Sequence, residues 1–172
     1  KLATRLRDMG VGPGDRVVAY MPNIPETVIA MLATTAIGAT WSSAAPEFGA
    51  QTVIDRFSQI EPKLVFAVNG YRYGGKDYNR TGELANILGA LPTAEQVVML
   101  DYLPGAGEPT FAGETLAWDD LFTGPEVARE AFDYARVPSD HPLWVLFSSG
   151  TTGLPKPIVQ SHHGIVLEHL KN

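Results

Sequence analysis

The sequence predicts an α/β protein in which a largely parallel sheet is flanked by helices. Between residues 1 and 68, segments with helical spacing alternate with short apolar runs, in the order helix, strand, helix, strand, helix, strand. The apolar runs are rich in large and β-branched residues, which is typical of strands that are buried on both faces. A composition of 45% hydrophobic and 19% charged residues is ordinary for a globular domain. These observations together favour one α/β core.

The helix predicted after residue 24 shows how the elements are assigned. Pro25 suits the first turn of a helix, Glu26 is favourable for the helix dipole, and Gly38 suits the end. Apolar residues recur between them at spacings of three and four, so one face of this helix is predicted to be buried. The residues of that face are Val28, Met31, Leu32 and Ala36.

The remaining elements follow from the same patterns. Further helices are predicted at 1–9, 49–60 and 83–91 and from about 162 onward. In the helix at 49–60 the predicted inward residues are Val53, Phe57 and Ile60, and the predicted outward residues are Asp55, Arg56 and Gln59. Strands are predicted at 16–21, 39–42, 63–68, 96–100, 143–147 and 158–160. The stretch 104–125 is rich in Gly, Pro and acidic residues and is predicted to be irregular, with at most a short helix at 118–122.

Charge and composition limit the classes of partner. The net charge of −6 gives no electrostatic footprint for nucleic acid or for an anionic membrane surface. No apolar run approaches the roughly 18 residues that a membrane span needs. The sequence has no cysteine, which excludes disulfides and thiolate chemistry and favours a reducing compartment, so we expect a cytoplasmic protein. The expected partners are therefore small molecules.

Both ends of the sequence lie in helical patterns. The first residues have helical spacing without an initiating Met, and the last residues have it without a clear cap. We therefore expect residues 1–172 to be an internal piece of a longer protein.

A glycine-rich stretch at 70–76 matches the spacing of the Walker phosphate loop and follows a predicted strand. The next residue is Asp77, where that motif needs a Ser or Thr hydroxyl for Mg²⁺, and a carboxylate there would repel phosphate. We interpret the stretch as a glycine-rich turn that carries Arg72, Lys76 and Arg80. A solvated basic loop and an anion-binding loop both remain open.

The histidines near the end do not form a metal motif. The positions four residues beyond His162 and His163 are apolar, and no nearby cysteine or acid completes a tetrahedral set with His169. No metal site is predicted. A helix that begins at about His162 would instead place a favourable dipole near an anion.

The stretch at 148–156, which we call the phosphate loop, follows a predicted apolar strand. Its glycines allow close approach of the backbone, its hydroxyls and N–H groups are donors, and its lysine supplies a positive charge. These groups suit phosphate oxygens, whereas composition alone is also that of a surface turn. The candidate binding residues are Ser148, Ser149, Gly150, Thr151, Thr152, Gly153 and Lys156.

The order of residues in the phosphate loop resembles the signature of the adenylate-forming superfamily, which runs hydroxyl residues, Gly, two hydroxyl residues, Gly, any residue, Pro, Lys. Stretches at 21–26, 38–43, 46–50, 55–57, 60–63, 70–77 and 164–171 are similar to the acetoacetyl-CoA synthetase family more than to the acetyl-CoA synthetases. The resemblance is weakest at 104–137. Pro157 stands where Gly or Ala is usual, and 160–163 departs from a more glycine-rich pattern.

The resemblance implies that residues 1–172 are part of the N-terminal AMP-binding domain, without the C-terminal domain. It implies a ligase that uses ATP, Mg²⁺ and CoA, with the Mg²⁺ ligands mostly outside this stretch. Thr151, Thr152 and the backbone at 150–153 would hold the β and γ phosphates, and Lys156 would add its charge. Arg72 would contact the nucleotide end of CoA, with Lys76 as a weaker second cation. The isolated piece is expected to be inactive.

Two classes of function remain open from the sequence. The first is a fragment of an AMP-forming ligase, for acetoacetate or, alternatively, for acetate or another acid. The second is a non-catalytic α/β module that binds nucleotide phosphates or a protein and shares only the loop. Remaining superfamily segments after Asn172 would support the ligase, and a genuine stop there would support the module.

Overall fold

The computed structural model describes residues 1–148 and 153–171. Its helices are α1 (Leu2–Asp8), α2 (Pro25–Ala36), α3 (Ala50–Phe57), α4 (Thr81–Gly89) and α5 (His162–Leu170), with 3-10 helices at Trp118–Phe122 and Arg129–Ala131. Its strands are β1 (Arg16–Tyr20), β2 (Thr40–Ala44), β3 (Leu64–Val68), β4 (Gly70–Tyr73), β5 (Lys76–Asn79), β6 (Gln96–Leu100), β7 (Glu114–Ala117), β8 (Pro142–Ser148) and β9 (Lys156–Ser161).

Within these residues the strands form a seven-stranded sheet in the order β7-β6-β3-β1-β2-β8-β9 and a separate β4–β5 hairpin. In this order, each neighbouring pair from β7 to β8 is parallel. The last pair, β8 with β9, is antiparallel. The predicted class, a largely parallel α/β sheet flanked by helices, is confirmed. No helix in the described part of the chain is long and apolar enough to cross a membrane.

Two hydrophobic cores lie on opposite faces of the sheet. Alternate residues of β1 enter each core, because successive side chains of a strand point to opposite faces. Helices α1 and α2 cover the first core, whose members include Leu2, Leu6, Val17, Ala19, Ala30, Ala33, Trp41, Phe66 and Trp118. Helices α3 and α4 cover the second core, whose members include Val18, Tyr20, Val53, Phe57, Val65, Leu84, Ile87 and Val97. The predicted inward residues of α3 are therefore correct.

The buried face of α2 differs from the prediction. Val28 and Leu32 are 44% and 58% exposed, and Ala30 is fully buried instead. Ala33 and Thr34 share the buried face, while Met31 only packs partly against the first core. The helix contacts the core through small side chains, which allow close approach, and the larger apolar residues lie on other faces.

Strand β8 is less buried than its apolar sequence predicts. Val145 is buried in the second core, whereas Leu146, on the opposite face, is 49% exposed. The strand pairs with β2 only through Trp41 and Trp144, and its other neighbour is the edge strand β9. Its position towards the edge of the sheet explains the exposure.

The stretch at 104–125 contains a strand that was not predicted. Strand β7 pairs in parallel with β6 and is mostly exposed. The short helix predicted at 118–122 is confirmed as the 3-10 helix Trp118–Phe122, in which Trp118 packs edge-on against Phe66 at 5.8 Å between ring centroids.

Candidate functional site

The candidate site lies along one edge of the sheet. The parallel strands β1, β2, β3 and β8 all end at this edge, where open α/β sheets bind ligands. The segments that leave it include the turn at 45–49, the β4–β5 hairpin and the phosphate loop. The fold therefore brings the two cationic candidates, Lys156 and Arg72, to connections that follow strands of the same sheet.

The base of the phosphate loop is a strand pair. Ser148 ends β8 and lies opposite Lys156, the first residue of β9. Gly153 has a φ of 95°, so a residue with a side chain would be strained there although no neighbouring atom would obstruct its β-carbon. The predicted residues Ser149, Gly150, Thr151 and Thr152 lie outside the described residues.

Lys156 is exposed at the start of β9 and has no ion-pair partner within residues 1–148 and 153–171. Its charge is therefore available to an anion. Pro157 lies opposite Phe147 in the ladder and does not interrupt β9. Because β9 is an edge strand, the missing N–H of a proline is tolerated there.

Two side chains, one in the last turn of α3 and one in the turn that follows it, contact the two stems of the phosphate loop. The guanidinium of Arg56 lies 5.9 Å from the ring centroid of Phe147, the residue before Ser148, and 5.5 Å from that of Phe48. The Nε2 of Gln59 donates a hydrogen bond of 3.0 Å to the carbonyl oxygen of Pro155. The sequence pattern places both residues only on an outward face and carries no signal for these contacts.

The glycine-rich stretch at 70–76 is a β-hairpin rather than the predicted turn alone. Gly74 and Gly75 have φ values of 57° and 75°, as a two-residue type I′ connection requires. Arg72 lies opposite Asp77, with Nε and Nη2 donating to the carboxylate at 2.5 and 3.0 Å. The hydrogen bond from Arg72 lowers the pKa of Asp77 below its usual value. Asp77, the residue that excludes a Walker motif, is thus the partner of Arg72.

Arg72 and Lys76 do not converge. Residues of a hairpin alternate between its faces, so Arg72 and Asp77 lie on one face while Tyr73 and Lys76 lie on the other. On that second face Tyr71 stacks on Tyr78 at 5.0 Å between ring centroids. One ligand phosphate on the Arg72 face would therefore not meet Lys76.

The hairpin is fixed to the body of the protein at its base. The buried Asn69 donates to the carboxylate of Asp101 at 2.6 Å and accepts from the backbone N–H of Leu103 at 2.9 Å. A side chain at Gly70 would lie only 2.6 Å from the carbonyl oxygen of Tyr78. Beside this base is a cavity of about 300 Å³ whose lining includes Asn69, Asp101 and Glu108. The hairpin is therefore held in one position relative to β3 and β6.

Tyr20 holds the turn that follows β2. Its buried hydroxyl donates to the carbonyl oxygen of Pro46 at 2.8 Å and contacts that of Phe48 at 3.1 Å. Burial raises the pKa of Tyr20 to about 12, so the neutral phenol persists as a donor. This contact was not predicted, because Tyr20 has the pattern of an ordinary strand residue.

Helix α5 begins at His162, as predicted. The hydroxyl of Ser161 caps it by accepting from the backbone N–H of Gly164 at 3.2 Å. Burial, and the nearby His141, lower the pKa of His162. The described residues contain no group of three or more His, Cys, Asp or Glu side chains that could hold a metal ion.

Comparison with known proteins gives one consistent result. The family model described as AMP-binding enzyme matches residues 1–171. The chain is 41% identical to the acetoacetyl-CoA synthetase of Macaca fascicularis over 98% of this chain and 26% of the relative. It is 45% identical to the acetoacetyl-coenzyme A synthetase of Rhizobium meliloti (strain 1021) over 99% of this chain and 26% of the relative. The chain thus spans about a quarter of the length of these relatives.

A solved structure agrees with the sequence comparison. The acetoacetyl-CoA synthetase from Streptomyces lividans is 52% identical, with a TM-score of 0.88 over 99% of this chain and 25% of that one. The fold of the described residues is therefore similar to one already known for a protein of that name.

Proposed function

The chain belongs to the AMP-binding enzyme family, and from this membership we propose that it functions as part of a ligase. The protein that contains this stretch is an acetoacetate–CoA ligase, and the stretch is part of its N-terminal AMP-binding domain. The observation that supports this most directly is that the vertebrate relative, the bacterial relative and the solved structure all have acetoacetyl-CoA synthetase as their name.

The proposed reaction has two steps. In the first, a carboxylate oxygen of acetoacetate attacks the α-phosphorus of ATP, the bond to the bridging oxygen breaks, and pyrophosphate leaves. In the second, the thiol sulfur of CoA attacks the acyl carbon, AMP leaves, and the thiol proton passes to solvent. Neither step needs a protein nucleophile, so catalysis depends on positioning and on neutralising the charge of the leaving group.

The phosphate loop is the proposed holder of the pyrophosphate half of ATP. The backbone of 150–153 and the hydroxyls of Thr151 and Thr152 would donate to the β and γ phosphates, and Ser148 and Ser149 would flank them. Lys156 supports this role because its charge is exposed at the base of the loop and has no ion-pair partner in the described part of the chain. Its ammonium would stabilise the charge that develops on the pyrophosphate.

The β4–β5 hairpin is the proposed contact for the nucleotide end of CoA. Arg72 supports this role, because it is exposed on the hairpin and is held by Asp77 through two hydrogen bonds. Lys76 lies on the other hairpin face and is not assigned to the same phosphate.

Mg²⁺ would accompany ATP and neutralise phosphate charge when it is bound. The side chains described here do not provide a set of three ligands for it. We therefore assign none of them to the metal. The expected location is the cytoplasm, which is supported by the absence of cysteine from this stretch.

A substrate panel on the complete protein that contains this stretch tests the proposal. Formation of acyl-CoA is measured with ATP, CoA and either acetoacetate, acetate or a longer acid. The proposal predicts the highest kcat/KM with acetoacetate. Higher kcat/KM with another acid would reassign the substrate, and no thioester with any acid would refute the ligase. Residues 1–172 expressed alone are expected to release no more AMP than their Lys156→Ala variant.

A further inference from the structure

We propose that Arg56, in the last turn of α3, and Gln59, in the turn that follows it, are positioning residues that hold the two stems of the phosphate loop for the adenylation step. The proposal rests on the proposed function, because it assigns the two side chains a part in the first of its two reactions. It adds a structural element, the end of α3, to a site that the sequence places only in the loop itself.

Arg56 holds the incoming stem. Its guanidinium lies 5.5 Å from the ring centroid of Phe48 and 5.9 Å from that of Phe147. Its Nη1 also donates to the carbonyl oxygen of Thr52 at 2.6 Å, which fixes the side chain to its own helix. Cation–π contacts of this kind attract the ring electrostatically. Phe147 is therefore tied to α3 one residue before the loop begins.

Gln59 holds the outgoing stem. Its Nε2 donates to the carbonyl oxygen of Pro155 at 3.0 Å and to that of Asp55 at 2.6 Å. Pro155 is adjacent to Lys156, whose charge the proposed function uses. Because the two contacts come from residues three positions apart, the last turn of α3 and the turn after it together contact both sides of the loop.

Holding both stems serves the adenylation step in particular. The pairing of Ser148 with Lys156 sets the width of the loop base. The contacts of Arg56 with Phe147 and of Gln59 with Pro155 tie the two sides of that base to α3 and the turn after it. Donors that stabilise a leaving pyrophosphate must be aligned with its oxygens, and a misplacement of about 1 Å can reduce a rate by about 100-fold. Thioester formation takes place after pyrophosphate has left and does not need this alignment.

The test measures the two half-reactions separately in the complete protein. The variants are Gln59→Ala and Arg56→Met. The control is Gln51→Ala, which removes a glutamine of α3 whose side chain donates to the carboxylate of Asp55. Adenylation is measured as acetoacetate-dependent exchange of labelled pyrophosphate into ATP. Thioester formation is measured from a supplied acyl-adenylate and CoA.

We expect Gln59→Ala and Arg56→Met each to lower kcat/KM for ATP in the exchange by about three- to tenfold, the range for one lost polar contact. Thioester formation should stay within about twofold of the parent rate, and Gln51→Ala should change neither reaction. Equal losses in both half-reactions, or no change in either, would overturn the inference. If the unmodified protein shows no exchange with any carboxylate, the proposed function fails and the inference fails with it.

Discussion

Arg72 and Asp77 face each other across the β4–β5 hairpin and are joined by two hydrogen bonds from one guanidinium to one carboxylate. Both side chains are largely exposed, so the pair adds little to stability. Its effect is to hold Arg72 in one orientation on the surface. The proposed contact with a CoA phosphate would therefore use a guanidinium that Asp77 already orients.

The first prediction concerns the face of the hairpin that is proposed to contact CoA. Arg72→Ala is expected to raise the KM for CoA by about tenfold, because a charged hydrogen bond to phosphate is lost. Lys76→Ala is the matched control, since Lys76 lies on the other face, and it is expected to change this KM by less than about twofold. If the two substitutions had equal effects on the KM for CoA, the proposal that CoA binds only the Arg72 face of the hairpin would be contradicted.

The second prediction tests the close contact at the base of the hairpin. Gly70→Ala should destabilise the protein by about 1–3 kcal/mol, because the new methyl group would overlap the carbonyl of Tyr78 and the side chain of Leu103. In Gly82→Ala the methyl group has open space within a helix, so stability should be unchanged or slightly higher. Urea unfolding midpoints of the two variants measure the difference, and similar midpoints would show that the hairpin base is not tightly packed.

The positions of most strands of the main sheet were predictable from the sequence, because the buried strands are local apolar runs. Strand β7 and the hairpin strands were not, since they are exposed and polar. The hairpin strands are not stabilised by burial in the core. They are stabilised by cross-strand pairs such as Tyr71 with Tyr78. The prediction of the buried face of α2 was wrong, because that helix has two candidate apolar faces and their spacing does not indicate which one packs against the sheet. Close packing selects Ala30 and Ala33.

The motif of the phosphate loop can be recognised in the sequence because its residues are consecutive, and its role in binding phosphate stays a prediction. The contacts of Arg56 and Gln59 with the loop stems were not predictable, because they join residues about 90 to 100 positions apart. Such contacts depend on the sheet order, which places β8 beside β2 rather than beside β6. Residue type and spacing contain no information on that neighbour.

The third prediction concerns Tyr20. Tyr20→Phe should lower the free energy of unfolding by about 1–3 kcal/mol, because the carbonyl oxygen of Pro46 loses its buried donor. The exposed Tyr134 provides the control, and Tyr134→Phe is expected to change stability by less than about 0.5 kcal/mol. The pKa of Tyr20 is raised to about 12, so the neutral hydroxyl stabilises the folded protein. This stabilisation is complete at pH values below the ordinary pKa of a tyrosine and is lost as the pH rises towards 12. A Tyr20→Phe variant with parental stability at neutral pH would contradict this role.

The fourth prediction is a pH dependence at the start of α5. Burial lowers the pKa of His162, so the folded protein favours the neutral ring. This contribution to stability is present above the ordinary pKa of about 6.5 and is lost as the pH falls through the lowered value. The loss between about pH 7.5 and about pH 5.5 should be smaller in His162→Gln than in the parent, as measured by urea unfolding. His163→Gln, at the exposed neighbour, should retain the parental loss.

The last prediction addresses the central claim, that the phosphate loop binds the pyrophosphate half of ATP during activation of acetoacetate. The measurement is exchange of labelled pyrophosphate into ATP by the complete protein and by its Lys156→Ala variant. We expect exchange that depends on acetoacetate and that falls by about 100-fold or more in the variant, the effect of removing one preorganised charge-stabilising group. Exchange that does not depend on acetoacetate, or that Lys156→Ala leaves unchanged, would contradict the claim.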